Sequence, residues 1–332
     1  MSIYGDICGQ ENLIEHFKKT VKEDKVSGAY IISGEKLSGK KMLTKRFVAS
    51  IQCENPVDGE ACMNCHACHM SLSGNNPDIK YVVASKEGKA VSVDDIREQV
   101  NGDISIKPYY CKKKIYIIDE AETLNPQSQN ALLKTIEEPP SYGVVILLTS
   151  NENSLLPTIL SRGVKLQTRA VPKEEIIKYL MEKNQIPDYA AESIALYANG
   201  NLGRAIDIAG SDEFDRIKEL VLRVFSNENQ DMAQGEILIS DIADYKDTID
   251  EFFDMCLMWV RDVLSFKSGC SKNRLIFKGE YDKIKNCAGR CSFAGAQKII
   301  NSIDEARASL KLNVRFEMVF RSFLMTVRNN LR

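Results

Sequence analysis

Tryptophan and histidine are scarce in this 332-residue chain, which carries one of the first and three of the second. Nine prolines and 19 glycines are too few for a collagen-like or low-complexity chain. No uninterrupted apolar run approaches the roughly 18 residues that a membrane helix needs, so no membrane partner is expected. The opening MSIYGDICGQENLIEHFKK has no apolar stretch behind a basic one, so no secretory signal is expected and the cytoplasm is the expected location. An excess of one charge sign is also missing: 44 basic residues face 46 acidic ones, a net charge of −2. That excludes a dedicated histone-like nucleic-acid binder and leaves room for a local basic patch. With 44% hydrophobic and 27% charged residues, the composition is that of a globular protein long enough for two or three domains.

The apolar residues change pattern near residue 170. Before it, Ala29–Ser33, Ile79–Val83, Lys114–Ile118 and Val144–Leu148 read as strands. Their nearly continuous apolar runs suit a parallel sheet covered on both faces. Helical stretches at Lys40–Gln52, Val93–Asn101 and Pro126–Glu138 alternate with them, which predicts an α/β doubly wound sheet. After Pro172 the pattern is helical. Pro172-Lys173-Glu174-Glu175 places proline and acids in a first turn, and Lys173–Lys183, Tyr189–Ala198 and Gly203–Ile208 form a small helical unit. Longer helices are expected over Phe214–Phe225, Asp247–Phe266, Phe293–Ser309 and Val314–Asn329, with a loop at Gly269–Asn273.

Ten cysteines stand out against this background, and in a reducing compartment they are not disulfides. Four form the run Cys53-x8-Cys62-x2-Cys65-x2-Cys68, which has metal-ligand spacing. Four thiolates complete a tetrahedral zinc and leave no open position, so such a metal is structural. An iron–sulfur cluster is the rival, but Leu72 stands where its fourth cysteine is expected. His66 and His69 are read as bystanders, and Cys287 and Cys291 as small buried apolar groups.

Gly34-Glu35-Lys36-Leu37-Ser38-Gly39-Lys40-Lys41 follows one expected strand and opens a helix. In that context glycines let backbone amides surround phosphate oxygens, and Lys40 reaches the terminal phosphates. Position 41 departs from the pattern, because a serine or threonine hydroxyl there is a magnesium ligand and an ammonium is not. At the end of another strand stand Asp119 and Glu120. An acid at such a place holds magnesium, and the next one can orient the attacking water.

The run from Leu124 to Pro140, LNPQSQNALLKTIEEPP, closely resembles a segment of bacterial clamp loaders, AAA+ assemblies that open the replicative sliding clamp. Leu156–Arg162 resembles that family's Ser-Arg-Cys motif with Gly163 in place of the cysteine, and Gly200–Ala205 resembles its second sensor. The resemblance covers about residues 3–208 and extends more weakly to Asn313-Val314-Arg315-Phe316. Within the family the chain is more similar to the delta-prime type of the DNA polymerase III holoenzyme than to the ATPase subunits.

The resemblance implies an AAA+ domain over residues 1–170 with a zinc module at 53–68, a helical lid over 171–210, and a C-terminal collar over 211–332. It implies a hetero-pentamer with gamma/tau-type ATPase subunits and delta, acting on a sliding clamp and primer–template DNA. ATP sites then lie between subunits, and Arg162 matches the finger that enters a neighbour's site. Such fingers contribute 10³–10⁵ in rate. Gly34, Gly39, Lys40, Lys41, Asp119, Glu120 and Arg204 match the chain's own nucleotide site, which Lys41 makes degenerate, so ATP and magnesium are doubtful there. Two roles follow from these residues: a non-motor subunit with little or no ATPase activity, or an active ATPase subunit. Thr149, Ser150 and Asn151 share the place of the first sensor, and Arg97 is a candidate ligand for DNA phosphate.

Overall fold

The fold is that of a computed structural model and is described for residues 2–85, 88, 90–211, 213–226 and 232–331. Two compact units divide the chain. The first joins Met1–Ile176 to Gly200–Arg204, and the second joins Ile177–Asn199 to Ala205–Arg332. Residues 171–210, expected as one lid, are shared between them.

The first unit is built on a five-stranded sheet in the order β2-β3-β4-β1-β5, every pair parallel. The strands are β1 (Ala29–Ser33), β2 (Ile79–Tyr81), β3 (Lys114–Ile118), β4 (Gly143–Thr149) and β5 (Val164–Gln167). Alternation of side chains divides each central strand between two cores. Tyr30, Ile32, Ile115, Ile117, Val144, Ile146 and Leu148 enter one core with Phe17 and Phe47. Ala29, Ile31, Tyr116, Ile118, Val145 and Leu147 enter the other with Ile96, Leu132 and Ile159. The helices covering the first face are α1 (Glu11–Lys22) and α2 (Lys40–Gln52), followed by α3 (His66–Ser73). Those on the second face are α4 (Val93–Ile96), α5 (Pro126–Glu137) and α6 (Pro157–Leu160).

Several boundaries differ from the sequence reading. Strand β2 stops at Tyr81 because Gln99 takes over at Val83, accepting from its amide at 3.1 Å and donating to its carbonyl at 2.7 Å. The helix expected over Val93–Asn101 is α only to Ile96 and continues as a π-turn over Arg97–Gly102, where Asn101 Nδ2 donates to Ala131 O on α5 at 2.8 Å. In this unit strand β5 and helices α1, α3 and α6 are also missing from the sequence reading.

The segment after Pro172 is helical: α7 (Lys173–Lys183), α8 (Asp188–Ala198), α9 (Leu202–Ala209), α10 (Glu213–Phe225), α11 (Met232–Ala243), α12 (Ile249–Lys267), α13 (Tyr281–Arg290), α14 (Phe293–Lys311) and α15 (Phe316–Asn330). The second unit has its own core, in which Phe252, Phe253 and Trp259 of α12 pack with Phe320 and Phe323 of α15. Helix α12 begins two residues after the expected Asp247 because Lys246–Thr248 forms a 3₁₀ turn. Helix α15 begins at Phe316 instead of Val314 because Asn313 is left-handed and Arg315, at ψ 125°, is not helical. Cys287 and Cys291 are buried in this core, as the bland reading required. No helix among the described residues is long and apolar enough to cross a membrane.

Candidate nucleotide-like site and four-cysteine centre

In parallel sheets, chemistry collects where strands end and helices begin. The carboxyl ends of β1, β3 and β4 are neighbours here, so the sequence-distant segments 34–41, 119–122 and 149–151 meet at one edge. The glycine loop leaves β1, and α2 opens on Gly39, left-handed at φ 83°. Gly34 is required by close approach, since a Cβ there would lie 1.8 Å from Thr168 Oγ1. The same Thr168 hydroxyl donates to Ser38 Oγ at 3.0 Å and so holds the loop from the end of β5.

Both lysines of the loop are engaged by the chain itself. Lys40 Nζ donates to the carbonyls of Gly34 at 2.7 Å and Glu35 at 2.6 Å. Burial holds its ammonium below the usual lysine range, opposed by Glu122, Asp119 and Glu35. Lys41 Nζ lies 2.5 Å from Asp119 Oδ2 and is pushed up by that hydrogen bond. The cation at position 41 therefore sits on the carboxylate that follows β3. Glu120 is exposed and left-handed at φ 47°.

A further carboxylate, Glu122, escaped the sequence reading. Ser150 donates to it from its hydroxyl and, at 3.1 Å, from its amide. Burial opposes ionisation of Glu122, but the Ser150 bonds prevail and lower its pKa. Thr149 and Asn151 spend their side chains on the local turn, bonding at 3.1 Å to Asn151 O and Asn153 N respectively. Of the three sensor candidates, Ser150 and, through its side chain, Thr149 both bond to the Glu122 carboxylate. Arg204 lies in the first turn of α9, where Asn201 Oδ1 accepts its amide at 3.1 Å while Asn201 Nδ2 donates to Lys36 O at 2.7 Å. Asn201 also escaped the reading, because nothing local marks a residue that bridges 165 positions.

Arg162 lies between α6 and β5, apart from the loop lysines in its bonding. Its Nε is 2.9 Å from Glu137 Oε1, and Nη1 donates to Thr158 O at 2.9 Å. Arg97 is exposed at the start of the π-turn, with Nη1 3.4 Å from Asp94 Oδ1.

The four cysteines do come together: the sulfurs of Cys53, Cys62, Cys65 and Cys68 all lie within 4.8 Å of one another. Tetrahedral zinc–thiolate bonds of about 2.3 Å require sulfurs about 3.8 Å apart, and Cys53 and Cys65 stand at 4.0 Å. The set is suited to zinc. Amides already point at the sulfurs, from Cys62 to Cys53 at 3.3 Å and from Cys68 to Cys65 at 3.4 Å. Backbone amides of Asn64 and Cys65 draw the Cys62 thiol down to about 7, while burial raises Cys53 and Cys68. The 53–62 linker is pinned to α1, where Lys18 Nζ meets Glu60 Oε1 at 2.5 Å. His66 instead packs edge-on against Tyr110, 5.2 Å between centroids.

Comparison with known proteins agrees with this frame. The profile of a family described as DNA polymerase III, delta subunit, matches residues 9–172. The DNA polymerase III subunit delta' of Bacillus subtilis (strain 168) is 27% identical over 314 residues, 93% of each chain. These two matches support a clamp-loader subunit of DNA polymerase III. Other relatives include the tau subunit of B. subtilis, 31% identical over 62% of this chain and 37% of that one. The tau/gamma subunit of Haemophilus influenzae is 31% identical over 62% of this chain and 30% of its own length. The chain thus spans about a third of these tau-type relatives and nearly all of the delta' relative. Among solved structures, a DNA polymerase III gamma subunit-related protein of Thermotoga maritima aligns over 96% of this chain and 99% of its own, with a TM-score of 0.48 and 18% identity. The clamp-loader assignment accounts for the parallel α/β unit with its P-loop-like turn and four-cysteine group, and for the mostly helical C-terminal region.

Proposed function

We propose that this chain is a non-motor subunit of the bacterial replicative clamp loader. It braces a hetero-pentamer with gamma/tau-type ATPase subunits and delta through its C-terminal helices, and it lends Arg162 to a neighbour's ATP site. The assembly places the sliding clamp on primer–template DNA in the cytoplasm. The observation that carries the non-motor role is the Lys41–Asp119 pair. Magnesium bound to ATP needs oxygen ligands at both places, and here one offers an ammonium and the other is already bonded to it. The pair itself is a surface ion pair, Lys41 being 72% exposed, and such pairs contribute about 0–1 kcal/mol. The missing hydroxyl, not the strength of the pair, is what disables the site.

The finger role rests on the Leu156–Arg162 motif and on the half-exposed guanidinium, which is available to an adjoining subunit. A cation brought to a transferring phosphoryl group neutralises charge as it develops. The four cysteines hold zinc as a structural ion, because a closed thiolate set offers no coordination position for substrate. The competing role, an active ATPase subunit, keeps Lys40, Asp119, Glu120 and Arg204 in its favour but has no ligand at position 41.

The test is nucleotide binding and turnover by the purified chain. Negligible ATP hydrolysis is expected, with any ADP binding insensitive to magnesium. Robust turnover that disappears in Lys40→Ala would reverse the assignment in favour of the ATPase role.

A further inference from the structure

Glu137 is the last residue of α5, where the carbonyl ends of the helix gather negative potential and a carboxylate is disfavoured. Its partner is Arg162, with Nε 2.9 Å from Glu137 Oε1. The other anchors of this guanidinium are Thr158 O at 2.9 Å and Ser161 Oγ at 3.2 Å, both bonded to Nη1. Among the described residues no hydrogen bond is made by Nη2. Nε and Nη1 of the guanidinium are thus held and Nη2 is left over. Helix α5 holds the same segment a second time. The buried Gln129 side chain accepts the Leu156 amide at 2.7 Å and donates to Ser154 O at 2.9 Å, just ahead of α6.

We propose that Glu137 is the positioning residue for Arg162. It touches no nucleotide; it fixes the guanidinium through Nε so that the Nη2 group meets the neighbour's phosphates without a search through rotamers. The inference rests on the finger assignment above. An arginine has several rotatable bonds, and a group that must be frozen at the moment of reaction lowers the rate by the fraction of time it is elsewhere. Both partners are about two-fifths exposed, 38% and 41%, so the pair adds little to stability. Its value is geometric.

The experiment compares reconstituted pentamers carrying the wild-type chain, Glu137→Gln, Arg162→Ala and both together, in DNA- and clamp-stimulated ATP hydrolysis. Glu137→Gln is expected to lose at least about half of the turnover that Arg162→Ala loses. The loss falls on kcat, with KM for ATP changed by less than about twofold. The double variant should match Arg162→Ala alone, and the melting temperature of the isolated Glu137→Gln chain should equal that of wild type. Wild-type turnover with Glu137→Gln, while Arg162→Ala is slow, overturns the positioning role and spares the finger. So does a further loss when Glu137→Gln is added to Arg162→Ala, because the carboxylate then acts by another route. No effect of Arg162→Ala overturns the finger assignment and the positioning role with it.

Discussion

At the scale of single residues, carboxylates in this chain are set by what donates to them. Asp95 is the clearest case. It accepts from the Ser85 hydroxyl, from Ser92 Oγ at 2.7 Å and from Ser92 N at 2.8 Å, closing a capping box at the start of α4. Those bonds, the Ser85 hydroxyl first, lower its pKa from 3.8 to about 2. A depressed folded pKa means stability that is present above the unfolded value and lost as pH falls through the folded one. Asp95→Asn should therefore cost about 1–2 kcal/mol at neutral pH. The gap to wild type should narrow between pH about 4 and pH about 2 in denaturant titrations; a gap that is constant across that window would show that the carboxylate charge is irrelevant. Residues of this kind mark what could be read in advance. Lys40, Lys41, Asp119 and Cys53–Cys68 announce themselves by local spacing, and Ser92-x-x-Asp95 has the same kind of spacing although the sequence reading makes no use of it. Glu122, Thr168 and Asn201 do not, because their roles depend on strand ends that only the folded sheet brings together.

At the scale of elements, the buried strands and the half-exposed β2 were legible and β5 was not. β1, β3 and β4 are fully buried and read as apolar runs, whereas β5 is an edge strand of four residues alternating between half-buried and exposed. Helix α1 carries its apolar stripe in a lysine-rich sequence, and α3 was hidden because its residues read as a metal loop. The same neighbourhood yields a prediction that needs the fold. Gly59 lies in the linker between the cysteines at φ 80°, and a Cβ there would lie 2.0 Å from the Lys18 carbonyl oxygen of α1. Left-handed geometry alone costs an L-residue about 1–2 kcal/mol, and here the clash is with backbone that cannot turn aside. Gly59→Ala should destabilise the first unit by about 2 kcal/mol or more. It should also speed zinc release to a chromogenic chelator. An alanine variant as stable as wild type would mean that the linker does not depend on its contact with α1.

At the scale of the whole molecule, the two compact units have separate cores, and all four cysteines belong to the first. Metal bound to that set stabilises the unit that contains it, because ligand binding free energy becomes folding free energy. In a domain of 150–250 residues, each kcal/mol moves the midpoint by about 2–4 °C, so removing a structural zinc should lower the melting of the first unit by about 10 °C or more. The chain's only tryptophan makes the two units separable in one sample. Trp259 is buried on α12 beside Phe277, 5.4 Å between ring centroids, and reports on the second unit alone. The prediction is that a strong chelator leaves the midpoint of tryptophan fluorescence where it was, while a lower transition emerges in calorimetry and in far-ultraviolet circular dichroism. Elemental analysis of the untreated protein should find one zinc per chain. Iron in that analysis would replace the thiolate zinc site with a cluster, and a fluorescence midpoint that falls together with the calorimetric one would mean that the helical unit relies on the metal-stabilised unit for its own stability.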